Sequence, residues 1–66
     1  MKTLIVNGKE TNVACESLEE LIEHYQLNKS HVVAEVDGHI VHRSEWGQYK
    51  LKPGAKVELV HFVGGG

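Results

Sequence analysis

Three features of this 66-residue sequence could take part in chemistry: one cysteine, five histidines and a run of glycines, Gly64-Gly65-Gly66. Cys15 would act as a thiolate. It stands where a strand is expected to pass into a helix, and a helix N-terminus can lower a thiol pKa. Small free cysteines are also among the most buried residues, and burial is the reading favoured for Cys15. The histidines are His24, His31, His39, His42 and His61. No pair has a recognised ligand spacing with a further ligand nearby, so they are read as surface or boundary residues and no metal is expected.

The glycines are not a phosphate loop, which needs a following helix and a lysine. They supply reach and thinness. Residues 63–66, fully extended, span about 13 Å. Without Cβ atoms, such an arm enters a channel that admits only backbone. The one reactive group it delivers is the α-carboxylate of Gly66. A free carboxylate resists nucleophiles until it is activated, for example as an acyl-adenylate. The tail therefore implies an ATP-using partner, while the chain itself is expected to bind no cofactor. Gly64, Gly65 and Gly66 are the candidate residues, with Gly66 bearing the carboxylate to be activated.

Size and composition point the same way. A domain this small buries only about 60% of its unfolded surface, which leaves little room for a catalytic cleft of its own. The chain is accordingly expected to be a protein co-substrate rather than an enzyme. Its 41% apolar and 24% charged content is that of a globular domain. The net charge of −2, with no basic cluster, gives no footprint for nucleic acid. A lone cysteine forms no internal disulfide and fits a reducing, cytoplasmic compartment. The apolar run in "MKTLIVNG" is shorter than the ~7 residues a signal peptide needs, and nothing approaches the ~20 of a membrane span.

The elements that would position the tail are legible. Lys2 to Val6 reads as a strand, Asn7-Gly8 as a type I′ turn, and Lys9 to Val13 as a returning edge strand. "ESLEELIEHYQLN" reads as a helix capped by Ser17, with Glu20 completing a capping box. Leu18, Leu21, Ile22 and Tyr25 form its apolar stripe. "HVVAEVDGHIV" reads as a strand, a turn at Asp37-Gly38 and a short strand. "HRSEWGQYKL" reads as an irregular loop or a single helical turn, "KPGAK" as a turn, and "KVELVHFV" as the last strand. The order ββαβ(β)β gives an α+β layer, one sheet with one helix across it. On the last strand, Lys56 and Glu58 mark the outer face. Period two then puts Val60 and Phe62 outward and Val57 and Leu59 inward. Val60 and Phe62 are candidate partner-binding residues.

These stretches resemble a known family. "NGKE" in the first hairpin, "SLEELIE" in the helix, "VDGHIVHRSEW" in the middle and "PGAKVELVHFVGGG" at the end are similar to the prokaryotic sulfur carriers. The nearest likeness is to the thiamine-biosynthesis carriers, the ThiS family. The middle piece matches that family's "N-x-x-I-V-x-R-x-x-W" pattern at Ile40, Val41, Arg43 and Trp46. Gly64, preceding the usual diglycine, is a departure that would loosen the arm. The resemblance implies a ubiquitin-like β-grasp fold with a mixed sheet of four to five strands. It implies a domain over residues 1–63 and a flexible tail over 64–66. It further implies that an E1-like adenylyltransferase (ThiF-like) adenylates Gly66. A cysteine desulfurase then supplies the sulfur of a thiocarboxylate, which thiazole synthase (ThiG-like) takes up. Two alternatives share the fold and tail: the molybdopterin-synthase small subunit, with a pterin acceptor, and a ubiquitin-like modifier joined to lysines.

Overall fold

Residues 1–62 are described by the computed structural model. The expected domain boundary at Val63 and the tail residues Gly64, Gly65 and Gly66 lie outside the described residues. Strands β1 (Lys2–Val6) and β2 (Lys9–Val13) precede helix α1 (Leu18–His24). Strands β3 (Val32–Val36), β4 (His39–Val41) and β5 (Lys56–His61) follow, with 3-10 helices at Lys29–His31 and Arg43–Gln48. The five strands form one sheet in the order β2-β1-β5-β3-β4. β5 pairs parallel with β1 and antiparallel with β3, and both hairpins are antiparallel. This is the mixed sheet with one helix expected of a β-grasp domain, and β2 is an edge strand as read from its sequence.

Both hairpins close on type I′ turns, whose two central residues need positive φ. Asn7 and Gly8 have φ of 50° and 81°, and Asp37 and Gly38 have 51° and 86°. Asn7 has a second use. Its side-chain carbonyl accepts from the Leu59 N–H at 2.8 Å, and its amide donates to the Leu59 C=O at 3.3 Å. The side chain thus continues the ladder along β5 where β1 has already turned away.

The helix begins as its sequence indicates, with one change of partner. Ser17 Oγ accepts from the Glu20 N–H at 3.2 Å. The Glu20 carboxylate accepts from the N–H of Glu16 at 2.8 Å, not from that of Ser17 as in a regular capping box. The helix ends earlier than the stretch read for it. Gln26 takes up a left-handed conformation, φ 59°. Its N–H reaches the Glu23 C=O at 2.9 Å, and the Leu27 N–H reaches the Ile22 C=O at 3.3 Å. Those two bonds make a Schellman motif. Tyr25, expected in the buried stripe, is the C-cap and is 39% exposed. The turn carries the chain over the helix end, and Leu27 packs on the core in its place.

The core lies between α1 and the inner face of the sheet. Leu18, Leu21 and Ile22 from the helix meet Leu4, Val6, Val36 and Val57, all buried. The "HRSEW" stretch is more ordered than a loop. Its 3-10 helix buries Trp46, whose indole N–H donates to the Val41 carbonyl at 2.9 Å. Lys29 joins its own 3-10 turn to the helix through Glu23 at 2.7 Å and Glu19 at 3.2 Å.

Candidate functional site

β5 is the central strand, held on both flanks, and it leads toward the glycines. Its alternation is the one read from the sequence. Val57 and Leu59 are buried under the helix, while Val60 is 55% and Phe62 47% exposed on the opposite face. The Phe62 N–H donates to the His31 carbonyl at 3.0 Å, so the backbone remains tied to the start of β3. The Phe62 ring sits 5.7 Å from the His31 ring, tilted by 41°. Among the described residues no loop covers either side chain.

Register brings two further apolar residues to the same face. Val33 lies directly opposite Val60, and Ile40 lies across Glu35 on β4. Both are exposed, Ile40 by 61%. Val33, Ile40, Val60 and Phe62 thus form an apolar patch at the foot of the tail. Solitary apolar residues on a surface are ordinary, whereas grouped ones mark interaction sites. Sequence reasoning named Val60 and Phe62 and missed the other two, although the signal was present. Burial of Val32, Ala34 and Val36 turns Val33 and Glu35 to the other face. A two-residue turn at Asp37-Gly38 then sets Ile40 opposite Glu35.

Cys15 is remote from this patch. It is buried beside the entry to the helix, and burial pushes its thiol pKa up, with the charge of Glu20 adding and that of Lys2 opposing. Such a thiol is not poised as a nucleophile. β2 places Val13 opposite Lys2, and β1 places Ile5 beside Lys56. From Lys2 to the level of Phe62 is therefore about 30 Å along the strands. His24, His39, His42 and His61 are exposed and His31 is partly so. Among the described residues no three metal-capable side chains come together, and no described helix is long and apolar enough to cross a membrane.

Known proteins share this arrangement. The ThiS family model matches residues 4–66. The uncharacterised protein ycf40 of Trieres chinensis is 32% identical over 68 aligned positions, covering 98% of this chain and 90% of that one. A thiazole synthase of Paramagnetospirillum magneticum is 33% identical over 64 positions; these are 96% of this chain but only 20% of that protein's length. Among solved structures, the crystal structure of the thiamine biosynthesis protein ThiS from Geobacter metallireducens superposes with a TM-score of 0.79. It is 31% identical and is covered over 97% of this chain and 99% of its own. A solution NMR structure of a thiamine biosynthesis protein from the same organism gives 0.79 at 29% identity, over 97% and 87%. A family match over nearly the whole chain, a shared fold and a relative aligned end to end agree: the chain belongs to the ThiS family of β-grasp sulfur carriers.

Proposed function

We propose that the chain carries sulfur for thiazole formation as a thiocarboxylate at Gly66. The observation that carries this reading is the position of β5. A central strand, flanked by β1 at its start and held by β3 up to its end, gives the glycine arm a fixed root, so docking of the domain sets where the carboxylate can reach. The carboxylate attacks the α-phosphate of ATP in the partner E1-like enzyme, and pyrophosphate leaves. The terminal sulfur of a cysteine-desulfurase persulfide attacks the acyl carbon, and AMP leaves. A thiol then attacks the desulfurase-side sulfur of the acyl disulfide; the S–S bond breaks, the thiocarboxylate leaves, and the thiol ends in a mixed disulfide with the desulfurase cysteine. Thiazole synthase is the acceptor. The thiazole synthase relative, which carries a matching stretch inside a longer chain, supports that choice. The carrier contributes attachment and position, and its partners contribute the catalysis. The test is intact-mass measurement after incubation with ATP, an E1-like enzyme and a persulfide source. Exchange of one oxygen for sulfur at Gly66 is expected, and an unaltered mass refutes the reading.

The apolar patch is the docking face in this scheme. Phe62→Ala removes an exposed aromatic anchor, a change that at an interface centre often costs ~2 kcal/mol or more. Binding to the adenylating enzyme and to thiazole synthase is expected to weaken, with the circular dichroism spectrum retained. Unchanged affinity for both partners would remove Phe62 from the interface.

Cys15→Ser is expected to leave the thiocarboxylate yield per folded molecule unchanged, because the thiol is buried about 30 Å from the tail root along the strands. Some stability is lost, since a hydroxyl there needs a hydrogen-bond partner that a thiol does not. Loss of yield in a well-folded Cys15→Ser protein would return the thiol to the mechanism.

A further inference from the structure

The apolar patch has a charged margin that the fold does not explain. Glu35 on β3 and Glu58 on β5 stand directly opposite each other. Both share the parity of Val33 and Val60, so both belong to the open face. Like charges directly opposite on neighbouring strands are destabilising. Among the described residues, the ion pairs are Lys2 with Glu16 and Lys29 with Glu19 and Glu23, and none reaches Glu35 or Glu58. Lys56 shares the face two residues before Glu58 and is paired with neither. Ile40 flanks Glu35 on its other side. The opposite margin is basic: His42 and Arg43 line a hollow with Val33 and Ile40 at the β4 edge. Val33 and Ile40 thus lie between an acidic pair near the sheet centre and basic residues at one edge.

A sequence that breaks a local rule without internal compensation does so most often where function requires it. Resting on the carrier reading above, we infer that Glu35 and Glu58 jointly receive one cationic side chain from the docking surface of the adenylating partner. A guanidinium fits best, because its planar fork of donors can serve two carboxylates at once. The adenylating partner is the occupant on electrostatic grounds. An enzyme that binds a nucleoside triphosphate together with an α-carboxylate presents positive charge on the side that receives the carrier, and a pair of carboxylates on the open face of the strand that leads to the tail is complementary to it. The apolar patch supplies contact area. The acidic pair sets rotation about it, and the basic edge disfavours the reversed orientation.

Stability and affinity move in opposite directions in the test. Glu35→Gln and Glu58→Gln each relieve the like-charge pair, so the thermal midpoint of the free carrier rises by about 2–4 °C. Each also weakens docking, so the KM for carrier in ATP–pyrophosphate exchange rises about tenfold, with the effect in KM rather than kcat. Glu58→Lys converts the pair to opposite charges and repels the incoming cation. It gives the larger rise in both midpoint and KM. A variant that is more stable yet binds worse has not misfolded. Raising salt should narrow the KM gap between wild type and the glutamine variants. Exchange with wild type but an unchanged KM in all three variants overturns the cation site and leaves the carrier reading standing. No exchange with wild type overturns both.

Discussion

Trp46→Ala is expected to lower the thermal midpoint by roughly 15–30 °C and to leave much of the protein unfolded at ordinary temperatures. Removing a buried tryptophan side chain costs about 3–5 kcal/mol. A midpoint in a domain this small moves by about 4–8 °C per kcal/mol. A chain of this length has a total stability on the order of 3–10 kcal/mol, so the loss is a large share of it. The indole is 1% exposed and is the largest side chain of the core. It also binds the Val41 carbonyl at the end of β4, so the truncation leaves both a cavity and an orphaned acceptor. Trp46→Phe separates the two contributions. It keeps most of the volume and loses the hydrogen bond, which costs about 1–3 kcal/mol when the acceptor stays buried. The order wild type, Phe, Ala in urea or thermal denaturation is the expected result. A midpoint for Trp46→Ala within two or three degrees of wild type would contradict this account of the core. The effect extends to the docking face, because the 3-10 helix that holds Trp46 follows directly on β4 and so anchors the strand that presents Ile40.

Local physics decided which parts of this fold could be read from the sequence. Asn7-Gly8 and Asp37-Gly38 are legible because few residues tolerate the positive φ those turns need. Ser17 and Glu20 are legible because an N-cap is a matter of three residues. Parity along β5 needs only the charges of Lys56 and Glu58 as a reference, and it put Val60 and Phe62 on the correct face. The errors fall where the deciding contact is distant or the residue is atypical. The helix stops at Gln26, which adopts a left-handed conformation usually taken by glycine at that position, so no stop signal was visible. The apolar period runs on through Tyr25 past that stop, so pattern alone assigns Tyr25 to the core. The parallel pairing of β1 with β5, and the clasp of Asn7 on Leu59 across 52 residues, leave no trace in either local stretch. Trp46 sits in a stretch without regular period, and its burial follows from how that stretch folds over the helix. Half of the patch is legible from the parity of β5 alone; Val33 and Ile40 require the faces of β3 and β4 as well.

Adding a single residue after Gly66 is expected to reduce adenylation by at least about 100-fold while leaving the domain intact. One residue moves the carboxylate by roughly 3.3–3.6 Å. A misplacement of about 1 Å already costs ~100-fold where reacting groups are held in a near-attack geometry. The added residue is not readily absorbed at the root of the arm, because β3 pairs with β5 as far as His61 and the Phe62 N–H is bonded to the His31 carbonyl. It would have to buckle the glycines inside a channel shaped for bare backbone. Gly65→Ala tests that channel directly. It leaves the carboxylate at the same chain length and adds one methyl group, so a slowed reaction there reports width rather than reach. Neither change touches the core, and the thermal midpoint of both variants should equal that of wild type, since a terminal segment contributes little to stability. The measurement is ATP–pyrophosphate exchange with the adenylating enzyme, followed by intact mass after addition of a persulfide source. An extended, unprocessed chain that is adenylated and thiolated as well as wild type would mean that Gly66 is not the acceptor and that the glycines serve some purpose other than delivering a carboxylate.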